Sequence, residues 1–510
     1  MKKIFFSTIA ISALFLNISC ETDFDTDVND VVVTSGDANF SKYIALGNSL
    51  TSGYRDNALY IDGQNESYPN IIANQMKLAG GGEFAQPLMS DNNGGMVLGN
   101  QTILGTKLFI ESFANGSPVL KNVAATPTTD VSKKLTGTIN NMGVPGAKSF
   151  HLVAPGYGSL AALATQRSNP YYVRFSTSET STIAGDAAAQ RPTFFSLWIG
   201  NNDVLSYATS GGSGIDQQGN LNPATYGSND ISDPAVVAGS IKGVLDALKA
   251  AGSTKGVIAN IPYVTSIPYF TTVPYNPLSP AALGANLATL NASLYGPLKQ
   301  ALTAFGHGNR INLLSATSAN PVLIKDNSLV NLSAQLTAAL TPSLGAPMAA
   351  AFGQIFGQAR QATAEDHVLL TASSVIATTN ANVPAPVNVN GVSYPLENQY
   401  VLTKTEAALV KTAVDAYNTQ ISTLATAYGL AFVNANAKMI ELNSMSGIQF
   451  DGVKYTAKFV TGGTFSLDGV HLTGRGYALV ANEFLKSINS KYKSNLPMVS
   501  PNSYSGVKFP

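Results

Sequence analysis

The chain has 510 residues, and its Lys+Arg and Asp+Glu balance at 30 each. A neutral chain lacks the positive footprint that a phosphate backbone requires, which argues against nucleic acid as a partner. Charged residues are only 12% of the chain, with Gly, Ala, Ser, Thr and Asn filling the gap. There is a single cysteine, Cys20, so no internal disulfide can form. The four histidines, His151, His307, His367 and His471, show no HExxH or other close-spaced ligand pattern. No metal and no cofactor is therefore expected.

The N-terminus reads as a targeting segment. Lys2 and Lys3 form a positive region, and residues 4–16 form an apolar run too short to span a bilayer comfortably. Ser19 precedes Cys20. The arrangement resembles a bacterial lipoprotein signal, in which residues 1–19 are removed and Cys20 becomes a lipid-modified N-terminus. Asn17 stands where such signals usually carry Leu, with Leu16 one place early. The sole cysteine falls where this signal requires one, which favours a lipoprotein over an ordinary secretory signal. Residues 20–40 read as a solvated tether, acidic at Glu21, Asp23, Asp25 and Asp27. Acidic residues directly after such a cysteine also resemble surface-export signals of Bacteroidetes lipoproteins. The resemblance implies a cell-envelope location, held to the outer membrane by the lipid.

The folded part is expected over residues 41–495. Residues 43–46 are a short apolar run ending at Gly47, which reads as a buried strand running into a turn. Similar runs occupy residues 137–141, 194–199, 256–261 and 430–433. Helical spacing covers 235–251, with Ile241, Leu245 and Leu248 on one face. It covers 405–428, with Leu409, Val410, Val414, Tyr417 and Ile421 in register, and then 476–493. Strands alternating with helices predict βαβ units and an α/β fold, with a mostly parallel sheet covered on both faces. Residues 207–234, rich in Gly, Ser, Asn and Asp, read as a long loop. Residues 262–399 read as a large, mostly helical insertion. It opens on proline-broken aromatic text that includes Tyr263, Tyr269, Phe270 and Tyr275. Helical patterns follow at 280–305 and 329–360. The tail, 496–510, is expected to lie extended on the surface.

Four short segments carry the chemistry. Gly47-Asn48-Ser49-Leu50 follows the first strand, where a serine can be held exposed at the carboxyl edge of a sheet. Asn141-Met142-Gly143-Val144-Pro145-Gly146 is the second. Gly200-Asn201-Asn202-Asp203 is the third, and Asp468-Gly469-Val470-His471 the fourth. Each alone has a bland reading, as a turn, an Asx turn or a helix start. Together and in this order they resemble the four blocks of the SGNH (GDSL-like) hydrolases. That resemblance implies a three-layer α/β/α sandwich of flavodoxin-like type and a serine esterase or lipase that cleaves carboxylic esters. It assigns Ser49 as nucleophile, His471 as base and Asp468 as the group orienting the imidazole. It assigns the oxyanion hole to the backbone N–H of Ser49, the backbone N–H of Gly146 and the side-chain amide of Asn202.

Asn48 departs from the family pattern, which usually has Asp there. Asp203, His151, His307 and His367 are read as structural. No G-x-S-x-G elbow occurs, which weighs against the α/β-hydrolase alternative. The expected substrate is a lipid or acyl ester, with the aromatic insertion as an apolar wall or lid; an acetylated glycan is the competing class. A non-catalytic surface binding protein on the same scaffold is the alternative from another class.

Overall fold

The structure is a computed structural model that describes residues 32–114 and 116–510. The signal segment, Cys20 and the acidic start of the tether lie outside the described residues. The central sheet has five strands: β1 (Tyr43–Gly47), β2 (Asn141–Gly143), β3 (Phe194–Trp198), β4 (Gly256–Ala259) and β5 (Ala431–Val433). Their spatial order is β2-β1-β3-β4-β5, and every pairing is parallel. β1 and β3 are buried at every position, as a parallel strand covered on both faces must be.

A one-turn helix, α1 (Ser49–Ser52), follows β1, then α2 (Tyr68–Lys77). α3 (Ile183–Ala189) precedes β3. α4 (Asn202–Thr209) and α5 (Pro234–Ala250) separate β3 from β4. α6 (Ser333–Leu344) and α7 (Ala346–Phe356) form a helical hairpin. α8 (Lys404–Ala427) leads to β5, and α9 (Ala435–Asn443) and α10 (Gly474–Tyr492) follow it. α2 and α10 pack together on one face of the sheet; α3, α5 and α8 pack on the other. The chain is thus a mixed α/β fold with a parallel sheet between two layers of helix.

Local chemistry sets the long helices. Asp233 caps α5 by accepting from Ala235 and Val236 N–H, with Pro234 at the first helical position. Thr403 and Glu406 form a capping box at α8. Thr473 accepts from Gly476 N–H at the start of α10, directly after the loop that carries Asp468 and His471.

Several elements differ from the sequence-based expectation. The strand expected over 137–141 is instead Asn141–Gly143, so the second motif is itself the strand. The cause lies with Asn140, whose side chain is occupied in accepting from Ala85 N–H and donating to the Tyr43 carbonyl. The loop expected from 207 begins only after Thr209, where α4 ends. The range 280–305 is helical as expected, with a turn at 284–285 parting Pro280–Leu283 from an unbroken helical run that includes a π turn at Asn291–Tyr295 and ends at Ala304. The pattern over 329–360 is two helices parted at Gly345, whose φ is +75°. Two β hairpins, Met96–Leu104 and Leu108–Asn122 in outline, occupy a stretch for which no elements were expected. The tail has no regular structure apart from a 3-10 turn at Pro501–Ser503, and it is tied to the domain by side chains. Asn482 bonds both the N–H and the carbonyl of Val499, and Ser505 N–H donates to Glu66.

The insertion does not behave as one block. Val264, Ile267 and Phe270 belong to the main core, and a second apolar cluster runs from Leu278 to Val401. That cluster contains a buried ion triad. Arg360 donates to Asp326 at 2.7 Å and to Asp366 at 2.6 Å, and Asp366 also accepts from Lys404 N–H at the start of α8. Burial opposes the Asp366 charge, but Arg360 and the backbone donors of Thr363 and Lys404 outweigh it and hold the carboxyl below its ordinary value. Arg360→Met should strand two buried carboxylates and destabilise the chain by about 3–5 kcal/mol. Equilibrium urea unfolding checks it: an unchanged midpoint would show that the triad contributes nothing.

Candidate active site

The strand order reverses between β1 and β3, and ligands of doubly wound sheets bind outside the carboxyl ends of strands at such a point. Ser49 follows β1, Gly146 follows β2 and Asn202 follows β3. Three adjacent strands therefore deliver three of the residues picked out from the sequence to one edge.

Ser49 opens α1. Asn48 caps that turn, its Oδ1 accepting from Leu50 N–H at 3.1 Å. Its Nδ2 donates to Asn201 Oδ1 at 3.2 Å, joining the β1 and β3 loops. Gly47 is required by close approach: a Cβ there would lie 2.4 Å from the Trp198 carbonyl and 2.1 Å from Thr51 Oγ1.

The fourth motif arrives from the other end of the chain. His471 Nε2 is 2.8 Å from Ser49 Oγ, and His471 Nδ1 is 2.9 Å from Asp468 Oδ2. With Asp468 ionised, Nδ1 carries the proton and Nε2 accepts from the serine hydroxyl. Asp468 Oδ1 accepts the backbone N–H groups of Val470 and His471, each at 2.8 Å, and Oδ2 accepts Asn57 N–H at 2.9 Å. Burial works against its charge, but His471 and these donors prevail and hold the carboxyl well below its ordinary value. The Tyr54 ring lies against the imidazole, with centroids 4.6 Å apart.

Gly146 has φ +81°, a left-handed conformation that favours glycine, while a Cβ there would meet nothing closer than 3.9 Å. Backbone conformation rather than crowding within the chain accounts for this glycine. Asn169 holds the turn by donating to the Pro145 carbonyl at 2.8 Å. The N–H groups of Ser49 and Gly146 have no acceptor among the described residues. Asn202 Nδ2 donates to the Ala147 carbonyl at 2.9 Å, which leaves its second hydrogen free.

Asp203 is fully buried and accepts from Ser149 N–H at 2.8 Å and Ser149 Oγ at 2.9 Å. It braces the loop that carries Gly146. His151 accepts from Lys148 N–H and stacks on Tyr157; burial and then Lys148 push its imidazole down to about 3. His367 contacts the Phe270 carbonyl, and His307 lies in the insertion. Neither joins Ser49.

An apolar cavity of about 130 Å³ adjoins Ser49 and His471. Its walls come from Trp198, α9, Phe465, α10 and the start of the insertion, which contributes Pro262, Val264 and Ile267 but none of its aromatic side chains. Phe270 is only 2% exposed and sits in the main core, so it cannot serve as a lid. Tyr269 instead lines a more open cleft of mixed polarity that also touches His471, Asp468, Asn57 and Asn202. Tyr54, Asn57 and the apolar residues that line the cavity were not singled out from the sequence as parts of a site. The only signal for Asn57 is Asp56-Asn57, two residues that tolerate left-handed conformations and here have φ of 53° and 61°.

A pH dependence follows from Asp468. Its folded-state value is depressed, so its ionised form stabilises the fold fully above the unfolded carboxylate range, about pH 4. That contribution is lost as pH falls through the depressed folded value. Asp468→Asn should therefore melt below the native chain at pH 7, and the gap should narrow on acidification below pH 4. A constant gap in thermal melts across that range would refute the linkage.

Searched against family models, curated proteins and solved structures, the chain matches none.

Proposed function

We propose that this chain is an SGNH-type serine ester hydrolase on a flavodoxin-like three-layer α/β/α fold. The observation that carries the reading is the unbroken hydrogen-bond series Asp468–His471–Ser49 at the carboxyl edge of the sheet. The loops after the three adjacent strands also supply donors without an acceptor among the described residues, the N–H groups of Ser49 and Gly146 and one amide hydrogen of Asn202. The strand order 2-1-3-4-5 supports the fold assignment, since it is the flavodoxin-type order.

The chemistry follows from these positions. Ser49 Oγ attacks the ester carbonyl while its proton passes to His471 Nε2. Asp468 keeps the ring in the required tautomer and offsets the imidazolium charge. The tetrahedral oxyanion takes up the N–H of Ser49, the N–H of Gly146 and the free Nδ2 hydrogen of Asn202. The imidazolium returns its proton to the leaving alcohol, and water then cleaves the acyl-enzyme by the same route. The apolar cavity favours an acyl ester over an acetylated glycan, because hydrocarbon walls leave sugar hydroxyls without partners.

Ser49→Ala should lower turnover of p-nitrophenyl butyrate by about 10⁴-fold or more and abolish fluorophosphonate labelling. Asn202→Ala should lower kcat by roughly 10²- to 10³-fold with KM little changed, because its donor acts on the oxyanion rather than on the ground-state ester. Near-normal turnover by Ser49→Ala would overturn the nucleophile assignment.

The proposed location is the cell envelope, through lipid on Cys20. Among the described residues no helix is long and apolar enough to cross a membrane. Cys20→Ser should move the protein from the membrane fraction to the soluble fraction; mature protein cleaved elsewhere, by mass spectrometry, would refute the anchor.

A further inference from the structure

We propose that the apolar cavity beside Ser49 is a blind channel for a medium-length aliphatic acyl chain, closed at its far end by the Lys438–Glu483 ion pair. The proposal rests on the reading that Ser49 attacks an ester, and it names the acyl group that ester carries.

The lining residues give the channel a direction. On α10 they are Gly476, Leu479, Val480, Glu483 and Phe484, a stripe at three- and four-residue spacing along one helix face. From Gly476 to Glu483 the helix rises roughly 10 Å at 1.5 Å per residue. α10 starts at the His471 loop, so the stripe leads away from Ser49. α9 supplies the opposite wall with Ala435, Lys438, Met439 and Leu442, again one face at helical spacing. Between these stripes the wall is apolar up to Lys438 and Glu483 apart from Thr464, whose hydroxyl is occupied in donating to the Thr456 carbonyl.

Those two side chains stand 3.6 Å apart, and they are 36% and 22% exposed. Each is anchored from outside by a second partner: Lys438 by Glu441 at 2.8 Å and Glu483 by Lys486 at 2.8 Å. The pair is therefore held across the solvent end of the channel. A hydrocarbon terminus that reached it would have to strip water from charges without offering a hydrogen bond, which is unfavourable. The apolar length up to the pair then acts as a ruler. A cavity of about 130 Å³ is slightly smaller than the roughly 150 Å³ apolar cavity that accepts a six-carbon benzene ring, so it suits a chain of about six carbons.

The test uses the full chain and p-nitrophenyl esters from acetate to dodecanoate. kcat/KM should rise by up to about fourfold per methylene through hexanoate and then stop rising. Replacing the pair by apolar residues, Lys438→Met with Glu483→Leu, should carry the rise to longer chains, increasing the dodecanoate-to-hexanoate ratio tenfold or more. Lys438→Arg, which keeps the charge, should leave the break where it is. A second measurement guards against loss of folding: Ser49→Ala should bind hexanoate more tightly than butyrate by calorimetry. A flat chain-length profile with active enzyme, or an equal effect of the double variant on every ester, overturns the channel and leaves the hydrolase reading standing. Chain-length-dependent binding to Ser49→Ala by a protein that hydrolyses no ester supports the channel and overturns the hydrolase reading.

Discussion

The organisation of this molecule turns on one contact between residues 422 positions apart, the hydrogen bond from Ser49 to His471. Neither partner could hold the other from its own loop. The β1 loop and the 466–471 loop are instead pinned to each other at several points. Asp56 N–H donates to Ser466 Oγ, Leu467 N–H donates to Asp56 Oδ1, and Asn57 N–H donates to Asp468. Asp56 and Asn57 form a tight two-residue turn, with Arg55 and Ala58 exchanging both backbone hydrogen bonds. The turn aims successive backbone donors at the acidic side of the site. The tail adds a further clamp, since Ser505 and Arg55 both bond Glu66. The segments 49–66 and 466–505 thus close around the sheet edge and carry Ser49 and His471 with them.

This closure explains how a long insertion is tolerated. The chain leaves the sheet after β4 and returns through α8 to β5, which is β4's neighbour. The intervening residues need only begin and end near one edge, and the cost of closing a longer loop grows slowly with its length. Having a second apolar cluster of its own, the excursion takes little from the main core. Its opening residues are the exception, because Ile267 and Phe270 are captured by that core.

What could be read from the sequence divides along a physical line. Ser49, Asp468, His471 and Asn202 were legible because the parts proposed for them depend on side-chain type and each lies within a few positions of a strand end or helix start, whereas Gly146, proposed to act through its backbone, was picked out only by the motif that contains it. Tyr54 and Asn57 were not, since one acts through a ring face and the other through its backbone N–H, which every residue but proline has. The central strands were legible because double burial makes them continuous apolar runs. β2 was displaced because it is a short edge strand whose neighbouring asparagine is used for loop bonding. The stripe on α10 was legible as a helix but not as a channel wall. Leu479 and Phe484 look the same in either role, and only the facing stripe on α9 separates the two.

Asn48 shows how the site accommodates a departure from its pattern. The position has two duties: to accept a backbone N–H at the start of α1, and to bridge to the β3 loop. Asn48 meets the first with Oδ1 and the second with Nδ2, which donates to Asn201 Oδ1. A carboxylate could perform the first, but it would meet Asn201 Oδ1 with another acceptor unless that amide turned over. The amide also places no charge one residue from Ser49. On the proposed mechanism negative charge would develop beside the Ser49 N–H, and an anion close by in a poorly solvated site would oppose it. A neutral cap therefore keeps the geometry of the turn while leaving the donors at Ser49, Gly146 and Asn202 to set the local potential.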